Sequence, residues 1–155
     1  MVKLQYKTVF SFILGILLIF SLTGCVQLGE PVADTEPVNW GLTLSVKDVT
    51  PISLTLVYAN SGGEPSGQLR TGEPYELHVL RGGTWYHLKP RNGEINWTTV
   101  AYLLSGNSSW EHAVNWESLY GRLPSGTYRI GKEIMDYRGP GDYDAAMHYA
   151  EFVIE

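Results

Sequence analysis

The sequence predicts an all-β chain, folded as an antiparallel β-sandwich of about seven to eight short strands without a disulfide. Three observations predict it. From Asn39 onward apolar residues recur at every second position, the period of a half-buried strand. Seventeen glycines and eight prolines provide frequent turns, while ten tyrosines suit a pleated surface. The single cysteine, Cys25, cannot form an internal bridge, so an ordinary packed core must hold the fold.

Taken in order, Met1 to Lys7 is a short basic segment carrying Lys3 and Lys7. Val9 to Leu22 is an apolar run, shorter than the roughly 20 residues a spanning helix needs. Small residues follow at once, the layout of a secretory signal peptide over residues 1–24. Leu22-Thr23-Gly24-Cys25 resembles the bacterial lipobox at all four positions. That resemblance implies a diacylglycerol thioether on Cys25, with acyl chains such as palmitate, and cleavage before Cys25. Two acyl chains give stable anchoring, since each buried methylene contributes about 0.8 kcal/mol. The expected location is the outer face of a bacterial cytoplasmic membrane. The alternative is an uncleaved signal anchor ending in Thr-Gly-Cys.

Residues 25–38 read as a flexible acidic tether, with Gly29, Pro31 and Pro37 and no periodicity. As a coil it would span about 20 Å. The domain proper is expected over residues 39–155.

In that domain Leu42, Leu44 and Val46 alternate with polar residues, and Thr50-Pro51 ends the strand. Ile52, Leu54, Leu56 and Tyr58 form the inward set of a second strand, followed by a glycine-rich loop from Asn60 to Gly67. Strands are expected at Tyr75–Leu80 and Trp85–Leu88, joined by an Arg81-Gly82-Gly83-Thr84 turn. Two more are expected at Trp97–Leu104 and Trp110–Asn115, then one helical turn over Trp116–Tyr120. The final pair, Thr127–Tyr137 and Tyr143–Ile154, is joined through Arg138 to Asp142.

Before that pair, Pro124 and Gly126 make a sharp corner, and Tyr128 is placed just past it. A tyrosine there bonds back to upstream backbone in immunoglobulin-like sandwiches, the tyrosine corner. Gly41 to Leu44, Trp116 to Gly121, Leu123 to Ile130, Lys132-Glu133 and Tyr149 to Ile154 carry a wider resemblance. From about Gly41 to Glu155 the chain resembles a bacterial Ig-like domain family of secreted and lipid-anchored proteins, mainly from Gram-positive bacteria. The resemblance implies a fold and a setting but no catalytic or ligand residues.

Charge narrows the partners. Without residues 1–24, nine basic residues stand against sixteen acidic ones, a net charge of −7. Such a domain repels phosphate backbones, so nucleic acid is not an expected partner, and no polybasic run is present.

The four histidines, His78, His87, His112 and His148, show no zinc-protease spacing, and no second thiol exists. His112 and His148 fall in phase with apolar neighbours and read as core or boundary residues; two histidines could still converge on a metal in space. There is no Gly-x-Ser-x-Gly elbow, so no catalytic residue and no enzyme activity is expected. Neither cofactor nor metal is expected, with Asp136, Asp142 and Asp144 around one turn the weak candidates for calcium. Those acids could equally pair with Arg138. If Tyr128, Ile130 and Ile134 face the core, then Met135, Tyr137, Tyr143, Met147 and Tyr149 face outward, as a contact surface for an envelope or extracellular protein. The expected function is a lipid-anchored, non-enzymatic binding module. Alternatives are an inhibitor of secreted hydrolases acting through the Arg138–Asp144 loop, or a calcium- or carbohydrate-binding module with Trp85 and Tyr86 as a sugar platform.

Overall fold

A computed structural model describes residues 26–33, 38–63 and 65–155. Among them are ten strands and one helical turn: β1 Leu28–Val32, β2 Leu42–Lys47, β3 Ser53–Asn60, β4 Gln68–Gly72, β5 Glu76–Arg81, β6 Thr84–Leu88, β7 Ala101–Leu103, β8 Ser108–Asn115, α1 Glu117–Tyr120, β9 Gly126–Gly139 and β10 Asp142–Ile154. The chain is all-β and antiparallel. A small sheet runs β2-β3-β8, and a seven-stranded sheet runs β1-β6-β5-β9-β4-β7 with β10 paired to β9. No helix among the described residues is long and apolar enough to cross a membrane.

Strand β9 is the spine of the larger sheet. β10 follows it from Gly126↔Ile154 to Gly139↔Asp142. The other edge is shared, with β5 on Tyr128 to Gly131 and β4 on Ile134 to Tyr137. Between β4 and β5 the chain leaves the ladder at Glu73-Pro74-Tyr75, because Pro74 has no N–H to donate. Lys132 satisfies the carbonyls freed there. Its Nζ donates to Gly72, Glu73 and Pro74 at 2.5, 3.2 and 2.7 Å. Burial of this ammonium lowers its pKa to about 8.

The core lies between the sheets. Leu54, Leu56 and Tyr58 of β3 join Leu77, Val79, Tyr128, Ile130, Ile134 and Phe152 of the larger sheet. Trp116 plugs one end, its ring 5.8 Å from Phe152 and its Nε1 donating to the Pro51 carbonyl at 3.1 Å. Tyr128 is fully buried and donates its hydroxyl to the Pro124 carbonyl at 2.7 Å, closing the corner that starts β9.

Two strands depart from the sequence reading. β1 lies inside the stretch read as a tether, where it pairs with β6 through Leu28↔Leu88 and Val32↔Trp85. A bulge between Leu28 and Pro31 erases the alternation that would mark a strand in the sequence. β4 has only Leu69 and Thr71 facing in, between two glycines. Gly67 is required there, since a Cβ would fall 2.4 Å from the Tyr137 carbonyl oxygen. The strand expected at Trp97–Leu104 shrinks to Ala101–Leu103, because its partner β4 ends at Gly72, opposite Ala101. Residues 1–24 and Cys25, with the signal peptide and lipobox positions Leu22, Thr23 and Gly24, lie outside the described residues.

Candidate functional site

The register of β9 and β10 sends Tyr128, Ile130 and Ile134 to the core with Phe152, Ala150 and Ala146 opposite them. Their odd-numbered neighbours form the outer face, and this face has two parts.

The distal part is built from two cross-strand rows. Leu103, Arg70, Met135 and Ala145 stand side by side, and next to them Gln68, Tyr137 and Tyr143. Arg70 lies over the Tyr137 ring, 3.9 Å from its centroid, and donates to Gln68 Oε1 at 2.9 Å. Tyr137 and Met135 are thereby half-buried. Tyr143 and Leu103 remain open at 51% and 56% exposure.

The proximal part is polar and largely closed. Arg129 is buried, its guanidinium between the rings of Trp85 at 4.6 Å and Tyr149 at 4.1 Å. Arg129 Nε donates to His78 Nδ1 at 3.0 Å. A neutral His78 accepting at Nδ1 carries its proton on Nε2, and that N–H meets Glu76 Oε2 at 3.1 Å. The bond from His78 holds the Glu76 carboxyl below its ordinary pKa. His87 stands edge-on to His78 at 4.4 Å, with Nδ1 3.7 Å from the same carboxylate. Desolvation lowers the His87 pKa.

Glu76, His78 and His87 therefore place three possible ligand atoms within 4.8 Å of one another. The donor chemistry does not suit a metal. A ligating histidine normally donates its second N–H to an acceptor. Here the second nitrogen of His78 receives a proton donor from a cation. A metal on Nε2 would demand an imidazolate or expel Arg129. The cluster is a hydrogen-bonded chain from buried Arg129 through His78 to Glu76.

The outward Met/Tyr set is thus divided. Met135, Tyr137 and Tyr143 form the distal part. Met147 and Tyr149 lean across Gly131, where a Cβ would lie 2.9 and 2.7 Å from them, and Tyr149 closes over Arg129. Tyr149 is therefore packing, not a free contact.

The turn acids are also accounted for. Asp136 is buried and accepts from Ser66 N, Ser66 Oγ and Gly67 N at 2.8, 2.7 and 2.6 Å. Burial would raise its pKa, but these bonds and the Arg138 charge pull it below the usual value. Arg138 binds Asp142 at 2.8 Å and Asp144 at 3.0 Å, so a guanidinium occupies the place a calcium ion would need. The same bonds tie down the loop that an inhibitor would insert. Trp85 and Tyr86 point to opposite faces, with Trp85 buried beneath Arg129, so they form no sugar platform.

Glu76, His78, His87, Arg129, Arg70 and Leu103 were not singled out together from sequence. One signal was available. The two-residue Gly82-Gly83 turn, with φ of 56° and 82°, fixes a register that places His78 opposite His87.

Compared with known proteins, residues 38–152 match a family model described as a bacterial Ig-like domain. No curated protein and no solved structure matches the chain.

Proposed function

The chain belongs to the bacterial Ig-like domain family, and from that premise we propose a non-enzymatic binding module, anchored by diacylglycerol on Cys25 at the outer face of a bacterial membrane. The observation that supports binding is the distal outer face. Tyr143 and Leu103 stand open on either side of a fixed Arg70–Tyr137 stack. Aromatic, methionine and arginine side chains held rigidly on a sheet lose little entropy on contact, which is the composition of interface centres. The partner class is an envelope or extracellular protein.

The test replaces the open residues and leaves the buried ones. Anchored protein carrying Leu103→Ser and Tyr143→Ser is compared with wild type for capture of partners from envelope extract. The reading expects a partner held by wild type and lost by the double variant at unchanged melting temperature. Retention by both would remove this face from the account.

A further inference from the structure

Val26 packs against the core, and Gln27 accepts the Lys89 amide at 2.9 Å. By Leu28 the chain is already in β1, paired with β6. One peptide unit, about 3.8 Å between Cα atoms, joins Val26 to Cys25. A lipid on Cys25 would hold the domain directly at the head groups, with no coil between anchor and fold. The side that meets the membrane is then the side Gln27 lines.

On that side the chain between β6 and β7 shapes a shallow groove with Lys89, Arg91, Glu94, Ile95 and Trp97. Lys89 and Arg91 are exposed and make no ion pair among the described residues. The loop is fixed where the Arg91 amide donates to the Leu119 carbonyl at 2.8 Å. The Arg91 guanidinium lies against Gly121, where a Cβ would come within 1.9 Å of Cζ. Trp97 is half-buried, edge-on to Tyr75 at 5.0 Å. Cations beside a half-buried tryptophan are the side chains that settle at the head-group layer.

The geometry points to this groove as a seat for the head groups of anionic phospholipid, so that the domain lies on the membrane in one orientation. This rests on the anchored reading above. Two cations and one acid would not recruit a membrane to a domain of net charge −7. The anchor supplies the affinity by holding the groove at high effective concentration beside the lipid, and the cations select the pose.

The test uses full-length protein, expressed in a bacterium that processes lipoproteins and extracted from its membrane. It is placed in nanodiscs of phosphatidylglycerol and a phosphatidylcholine brominated high on its acyl chains, which quenches only tryptophans that reach lipid. The expected result is a quenched component that vanishes in Trp97→Phe. Lys89→Glu with Arg91→Glu should lower the docked-to-free ratio about tenfold or more. Should Trp97→Phe fail to melt cooperatively, a nitroxide on Glu94→Cys, shielded from an aqueous nickel complex, gives the same readout. Equal quenching in wild type and Trp97→Phe, with the protein still in the membrane, overturns the seat and leaves the anchor standing. Recovery only from the aqueous fraction removes both, and the intact mass of the recovered chain identifies that case.

Discussion

Tyr137 and Tyr143 stand directly opposite each other on the outer face of the β9–β10 hairpin, the first pinned under Arg70 and the second half open to solvent. Their neighbour Tyr149 shares the face but covers the buried Arg129. Replacing Tyr143 by Ser should therefore change stability by no more than about 0.5 kcal/mol. Tyr149→Ser should cost about 2 kcal/mol or more, since it exposes a guanidinium packed between two rings. Denaturant midpoints of the two variants decide this. Equal values would place both tyrosines in one environment.

Lys132 donates to three carbonyls at the break between β4 and β5. Lys132→Met should cost about 3 kcal/mol at pH 7, the penalty of leaving buried acceptors unpaired. The folded pKa of about 8 lies below the ordinary 10.5. Between these values the unfolded chain holds a proton that the folded chain has released, so the Lys132 contribution makes stability rise with pH. Unfolding from pH 7.5 to 9.5 should show this rise in wild type relative to Lys132→Met. A parallel pair of curves would contradict it.

His148 is buried against Trp40, with ring centroids 5.9 Å apart and Nε2 lacking a hydrogen-bond partner among the described residues. Burial lowers its pKa below 6.5. As pH falls through 6.5 the unfolded histidine takes a proton that the folded one refuses, so stability drops until the folded group also protonates. His87 and His112 shift the same way, so the difference between wild type and His148→Phe isolates this residue. The variant should lose less stability between pH 7 and 5.

The corner tyrosine offers a cleaner measurement. Tyr128→Phe keeps the ring, stacked on Phe152 at 5.7 Å, and deletes the hydroxyl that donates to Pro124 and interacts with Arg81. A loss of about 1–1.5 kcal/mol is expected.

Asp136 accepts two backbone amides and one hydroxyl, and Arg138 fills the adjacent turn. Millimolar calcium should leave the melting temperature where chelator leaves it. Asp136→Asn, which turns a donor toward Ser66 or Gly67, should lower stability by about 2 kcal/mol.

The core strands were legible because Leu54, Leu56 and Tyr58, and likewise Ala150, Phe152 and Ile154, follow the period of a sheet with one buried face. Tyr128 was legible from the Pro-x-Gly corner before it. The hidden parts share one physical cause, dependence on partners distant in sequence. β4 exists because Gly67 admits the Tyr137 carbonyl, and β1 because β6 offers it an edge. Arg129 reads as a solvent-facing residue by alternation, yet Trp85, Tyr149 and His78 from three strands enclose it.

Everything about the membrane pose depends on Leu28 to Val32 being a docked strand and not a tether. Amide hydrogen exchange on the full-length chain, read on peptides covering residues 27–33 and 84–89, tests that directly. The account predicts slow exchange for the amides hydrogen-bonded between β1 and β6, with Lys89, whose amide donates to Gln27, among them. Complete exchange of residues 27–33 at the rate of an unstructured peptide would contradict it.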